Sequence, residues 1–180
     1  MVNAVAETPA VAPTPWLRLQ PQATRFSFRG NAAAQASAGA AFGLQFPSVA
    51  CRSASNSTRA ALWLGPDEQL LLAPPAEGQV LRAALAAALL GLPHSVVDVS
   101  HRQVGLELRG PYAAWLLNAG CPLDLDLSAF PVGMCTRTVF LKTEITLWRT
   151  AGEQFHVEVW RSFTDYLVGI LREVAREIPG

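Results

Sequence analysis

The stretch CTRTVFLKTEITLWRTAGEQFHVEVWRSFTDYLVGILREV (Cys135–Val174) decides the fold. It opens with three strand-like runs, Cys135–Leu141, Glu144–Arg149 and Phe155–Trp160, separated by short breaks. The period then changes. Ser162 and Asp165 have the spacing of a capping box, in which a serine and an acid three positions on satisfy free N–H groups at a helix start. Phe163, Tyr166, Leu167, Ile170, Leu171 and Val174 follow at helical spacing and predict an amphipathic helix to about Glu177.

Upstream, the same two periods alternate. Arg25-Phe-Ser-Phe-Arg29 puts Phe26 and Phe28 on one strand face and the arginines on the other. An Ala-rich run to about Ala41 reads as a helix capped by Asn31 and ended by Gly43. Leu44–Cys51 is broken at Pro47 and reads as an edge strand or loop, and Ser53–Thr58 as a polar loop. Ala60–Leu64 and Gln69–Ala73 form a hairpin around the loop Gly65–Glu68. Glu77–Leu90 is helical and stops at Gly91. Ser95–Asp98 and Gln103–Leu108 are strands. Pro111 opens a short helix to Asn118 at its first position, Gly120 closes it, and Cys121–Gly133 is rich in turns. Helices alternating with strand pairs and hairpins predict an α+β fold of mainly antiparallel sheets with packed helices, as one domain over residues 16–180. Residues 1–15, made of Ala, Val, Thr and Pro with little charge, predict a disordered or extended tail.

Composition narrows the function classes. Hydrophobic residues make up 51% and charged residues 16%, where ordinary domains carry about 25% charge. Fourteen basic and fourteen acidic residues balance to zero. That argues against a nucleic-acid binder working through a basic face. An apolar chain of zero net charge favours association with other chains. Cys51, Cys121 and Cys135 are odd in number and widely spaced, which gives no metal or disulfide frame and predicts free thiols in the cytoplasm. The first arginine is Arg18 and prolines interrupt the N-terminal apolar residues, so no secretory leader is expected. The longest apolar stretch, Val80–Leu92, contains Arg82 and falls short of the ~20 residues a bilayer needs.

The candidate chemistry is sparse. Asp98-Val-Ser-His101 places the three residue types of a nucleophilic triad together. On a strand, however, Ser100 and His101 point to opposite faces, and no G-x-S-x-G elbow is present. Asp98 and Ser100 read instead as residues that tie down a turn. No histidine pair has helical spacing, and Asp124-x-Asp126 lacks the remainder of a calcium loop. Lys142, the one lysine, lies between polar neighbours, a poor setting for a Schiff base. No dinucleotide or phosphate loop is present. Arg102, Arg109, Arg137, Arg149 and Arg161 lie on or beside strands as surface pairs or interface anchors, and five tryptophans suit both core and interface. These residues describe a neutral, apolar domain with no self-evident catalytic constellation.

Two sets of residues carry a resemblance. Asp98-Val-Ser-His101, then Gly110-Pro111 and Ala113-Ala-Trp-Leu-Leu117, resembles the folate-binding fold of the glycine-cleavage aminomethyltransferase and its relatives. Gly120-Cys-Pro-Leu-Asp-Leu125, Cys135-Thr-Arg-Thr138 and Arg161-Ser-Phe-Thr-Asp-Tyr-Leu167 resemble the gamma-subunit family of heterotetrameric sarcosine oxidases, over roughly Phe26–Ala175. The resemblance implies a small subunit of a flavoenzyme complex that converts sarcosine to glycine, makes hydrogen peroxide and passes a one-carbon unit to tetrahydrofolate. It implies alpha, beta and delta partner subunits that carry FAD, FMN, NAD and tetrahydrofolate, with none bound by this chain. It carries no catalytic role onto Asp98, Ser100, His101, Arg161, Ser162 or Asp165, which are expected to be structural. Two alternatives remain: a stand-alone folate-binding or one-carbon-transfer protein, and an assembly subunit of another amine dehydrogenase complex.

Overall fold

A computed structural model of the chain describes residues 11–178. Ten strands and four α-helices run in the order β1 (Leu17–Leu19), β2 (Thr24–Gly30), α1 (Ala32–Phe42), β3 (Ser53–Ser55), β4 (Ala60–Gly65), β5 (Glu68–Ala73), α2 (Gly78–Ala88), β6 (His94–Asp98), β7 (Gln103–Arg109), α3 (Ala113–Asn118), β8 (Cys135–Phe140), β9 (Thr143–Ala151), β10 (Gln154–Trp160) and α4 (Thr164–Val174). They form two five-stranded sheets. Sheet I has the order β1-β7-β10-β9-β8 and sheet II the order β3-β4-β5-β2-β6. Every ladder is antiparallel, as the α+β reading predicts.

The sheets stack with helices outside. Phe26 and Phe28 of β2 and Leu71 of β5 pack against Ala34, Ala38 and Phe42 of α1 and Leu81 and Leu85 of α2. Leu106 and Leu108 of β7 and Val157 and Val159 of β10 pack against Leu116 of α3 and Leu167 and Leu171 of α4. Burying one such side chain contributes roughly 1.5–3 kcal/mol. Between the sheets, Ala60, Leu62, Leu70 and Leu72 meet Val99 and Cys135. Sheet II is therefore covered on both faces at its inner strands β5 and β2, while its edge strand β6 is exposed. As the alternation predicts, β2 turns Phe26 and Phe28 to one face and Arg25 and Arg29 to the other, and that second face meets sheet I, where Arg25 is 2% exposed and bonds to Glu158.

Local signals place several ends. Asn31 Oδ1 accepts from Ala34 N–H at 3.0 Å, and Gly43 closes α1 at φ 77°. Several details differ from the sequence reading. The polar loop contains β3, which pairs with β4 through Ser53↔Leu62. The β4–β5 hairpin turns over Pro66-Asp67 alone, because Gly65 and Glu68 belong to the strands. Helix α3 starts at Ala113, after Pro111 rather than on it. The helix start around Ser162 is not a capping box, since a 3-10 turn, Arg161–Phe163, leads into α4 and no side chain caps either segment.

The α4 stripe is also rotated from its expected face. Thr164, Leu167, Val168 and Leu171 are buried, while Phe163 and Tyr166 are exposed. Of the expected tail, residues 1–10 lie outside the described residues. Val11 packs beside the sheet I core, and Ala12 O accepts from Arg172 Nη2 at 2.9 Å.

Candidate functional site

The Asp98–His101 segment leaves β6 and turns before β7. Its backbone is fixed from two sides. Ser100 N–H donates to Asp98 Oδ1 at 2.9 Å, forming an Asx turn, and Arg102 N–H donates to Val99 O at 3.0 Å. Arg25 N–H donates to Ser100 Oγ at 2.9 Å, and Val99 N–H to Arg25 O at 2.9 Å. Ser100 Oγ is thus an acceptor for the backbone of β2, and Asp98 Oδ2 is ion-paired with Arg82 of α2. Burial pushes the Asp98 carboxyl up, but the bonds from Ser100 and the Arg82 charge outweigh it and leave it below the usual carboxylate range. A recess of about 650 Å³ beside α2 is lined in part by Thr24, Arg82, Asp98, Ser100 and His101. A larger one, about 730 Å³, lies against the small residues of α1 and does not involve the motif.

The second motif meets the first. Arg161 N–H donates to Arg102 O at 2.8 Å, and Arg161 Nε to His101 O at 3.2 Å. The Arg102 guanidinium lies 5.0 Å from the ring centroid of Trp160. Trp160, Phe163 and Tyr166 are 40%, 40% and 37% exposed. The fold so joins the Asp98–His101 turn to Arg161, with Arg102 and the exposed Trp160 ring beside them. Ser162 and Asp165 lie on the same segment and are exposed.

Beneath this surface is a buried ion pair that the sequence reading missed. Arg25 of β2 donates from Nε to Glu158 Oε2 at 2.6 Å and from Nη2 to Oε1 at 3.0 Å. The side chains are 2% and 1% exposed. His156 Nε2 lies 2.8 Å from Glu158 Oε1. Burial drives the Glu158 carboxyl up, but its bond to His156 and the charges of His156 and Arg25 outweigh this, and the net displacement is downward. Gly105, opposite Glu158 on β7, leaves the room, since a Cβ there would lie 3.0 Å from His156 Cε1 and 3.1 Å from Arg25 Nη2. A second cluster joins the sheets where Glu68 meets Arg29 and Arg137, each at 2.6 Å. One sequence signal pointed to these groups: His156 and Glu158 alternate with core valines, and both faces of β10 are covered.

The remaining candidates are placed as follows. Arg149 is neither a surface pair nor exposed. It is 3% exposed, donates to Phe130 O at 2.7 Å and Leu125 O at 3.0 Å, and lies over the Phe155 ring at 4.4 Å. Asp124 and Asp126 accept from the backbone N–H groups of Asp126 and Ser128. Lys142 is exposed at a strand turn. All three cysteines are free thiols, and burial pushes that of Cys135 up to about 12. Trp115, on α3, is 44% exposed, and Tyr112, just before the helix, is 39% exposed. Among the described residues, no helix is long and apolar enough to cross a membrane.

Comparison with known proteins gives the family. Residues 29–177 match the model described as the sarcosine oxidase, gamma subunit family. A sarcosine oxidase subunit gamma from Corynebacterium sp. (strain P-1) is 41% identical over 118 residues, covering 66% of this chain and 57% of that protein. The chain thus aligns with little more than half the length of that relative. The subunit gamma from an Arthrobacter species is 39% identical, over 82% of this chain and 70% of its own. A solved structure of the heterotetrameric sarcosine oxidase from Corynebacterium sp. U-96 contains a chain that superposes with a TM-score of 0.83 at 34% identity, covering 89% of this chain and 83% of that one. Aminomethyltransferase T of the glycine cleavage system from Bartonella henselae superposes at 0.66 with 18% identity over 46% of its length, a likeness of fold alone. On these matches, the chain belongs to the sarcosine oxidase gamma subunit family.

Proposed function

We propose that this chain is the small, non-catalytic subunit of a heterotetrameric sarcosine oxidase, and that it contributes to the assembly and stability of that complex. The observation that carries the reading is the superposition of 89% of this chain on a chain of the heterotetrameric enzyme at a TM-score of 0.83. The local chemistry supports it. The Ser100 hydroxyl and the Asp98 carboxylate of the triad-like motif are both engaged in fixing a turn. The surface above them presents aromatic rings and guanidinium groups, the side chains that anchor protein contacts. In this reading FAD, FMN, NAD and tetrahydrofolate are held by the alpha, beta and delta subunits in the cytoplasm, where the oxidation of sarcosine to glycine takes place.

The test is a mild pull-down of the tagged chain from its native cells, scanned for flavin absorbance and assayed for sarcosine-dependent peroxide. A yellow, active eluate with three further chains is the expected result. A colourless chain eluting alone overturns the reading, and tetrahydrofolate titration of that isolated chain then examines the folate-binding alternative.

A further inference from the structure

Strand β6, His94–Asp98, is an edge of sheet II that pairs with β2 on one side only. Four of its five residues are exposed, on both faces. The ladder fixes which way each of its amides points. Val99 N–H donates to Arg25 O at 2.9 Å, and Gly30 N–H bonds across the other side of β2 to Asp67 O at 2.9 Å. Odd-numbered residues of β2 therefore bond towards β6, where Ser95 and Val97 answer Arg29 and Ser27. His94, Val96 and Asp98 direct their N–H and C=O groups out of the sheet.

An edge of this kind is a template for another strand unless it is blunted by lysine, proline or a bulge. None of these interrupts His-Ser-Val-Val-Asp. Val97 is 51% exposed on one face. On the other face a recess of about 200 Å³ runs along the strand, lined by Phe26, Ala86, Val96, His94, Arg82 and Asp98. The charges around it favour a particular occupant. Asp98 is already engaged by Ser100 N–H and Arg82, and His94 Nδ1 is 2.7 Å from Leu92 O. That contact leaves Nε2 as the ring nitrogen for an added strand to meet, and a carboxylate is the side chain complementary to an imidazole whose two nitrogens both donate. A second copy paired symmetrically about Val96 would instead set His94 against the engaged Asp98.

We propose that β6 is the docking edge for an extended segment of a partner subunit, which adds to sheet II as a sixth strand. The segment places an apolar side chain in the recess beside Val96 and an acidic residue against His94. The inference rests on the reading that the chain works inside a multisubunit complex. It deepens that reading by naming the contact edge and the chemistry of the segment that fits it.

Val96→Pro tests it, because proline there removes an outward N–H and no bond of the β2–β6 ladder. Val96→Thr keeps the N–H and serves as the conservative control. Each variant is co-produced with the partner subunits. Thermal unfolding of the free chain checks folding, and site-resolved hydrogen exchange compares the free chain with the assembled complex. Val96→Pro is expected to weaken assembly by about tenfold or more, the scale of a lost backbone bond plus a steric clash, while Val96→Thr assembles normally. In the wild-type complex the amides of Val96 and Asp98 should exchange at least about tenfold more slowly than in the free chain. Should Val96→Pro fail to fold, the wild-type exchange result decides alone. A complex that forms with these amides unprotected overturns the docking edge and leaves the subunit reading standing. Self-association of the free chain that Val96→Pro abolishes assigns the edge to a second copy and likewise overturns it. Absence of any complex overturns both.

Discussion

Replacing Glu158 with glutamine keeps the shape of the side chain and removes its charge. The Arg25 guanidinium, 2% exposed, then remains between two sheets without a counter-ion. Breaking a buried pair in this way costs about 3–5 kcal/mol, because an uncompensated charge stays out of water. For a domain of this size, 1 kcal/mol moves Tm by about 2–4 °C, so E158Q should melt roughly 6–20 °C lower. Urea unfolding of the isolated chain at pH 7, followed by tryptophan fluorescence, gives the free energy directly. The double variant R25M/E158L should regain most of the loss, since well-packed apolar side chains replace such pairs at little cost. The pH dependence has a definite sign. The folded Glu158 carboxyl is held below its unfolded value, about 4.3. Its contribution is therefore complete above that value and is lost as pH falls through the folded one. E158Q should lack this acid-side loss. A deficit in E158Q below about 1 kcal/mol at pH 7, the scale of an exposed pair, would refute the reasoning.

Arg149→Met leaves the carbonyls of Leu125 and Phe130 without their donors and should cost about 2–4 kcal/mol in the same assay, and a loss under about 1 kcal/mol would contradict the role assigned to it. Iodoacetamide at pH 8 should modify the half-buried Cys51 far faster than Cys135, whose thiol burial raises to about 12; equal rates by peptide mass spectrometry would contradict that placement.

The elements legible in the sequence were those with a bounded strand-like run or a local end signal. Helix α1 was framed by Asn31 and Gly43, and β8–β10 were visible as alternating runs. What escaped depends on the second sheet. Arg25 and Arg29 flank Phe26 and Phe28 in alternation, so the period assigns them to the opposite face without saying whether that face is covered. Only the stacking of sheet I over that face turns Arg25 inward to meet Glu158, a residue 133 positions away, and no local pattern records that distance. The rotation of α4 has a similar origin. Its apolar residues outnumber the positions that one face can bury, and packing on sheet I selects Leu167, Val168 and Leu171 while leaving Phe163 and Tyr166 outside. Spacing alone could not separate a core aromatic from a surface one.

The missed pair and the recognised motifs are parts of one arrangement. Arg25 touches the Asp98–His101 turn through its backbone, giving N–H to Ser100 Oγ and taking Val99 N–H on its carbonyl. Its side chain holds Glu158, two residues before Trp160 and three before Arg161. The same residue thus ties the turn to β2 and β2 to the strand that delivers the second motif. The His101–Arg161 and Arg102–Trp160 contacts close that circuit at the surface. A change at Glu158 should accordingly reach the exposed aromatics as well as the stability of the core. If the Trp160 surface is a partner contact, E158Q should weaken assembly even at a temperature where the chain remains folded. An Arg161→Lys exchange should do so with little loss of stability, since lysine lacks the planar fork that reaches His101 O. Assembly unchanged in both variants, with the complex otherwise intact, would separate the buried pair from the surface above it and confine its role to holding the two sheets together.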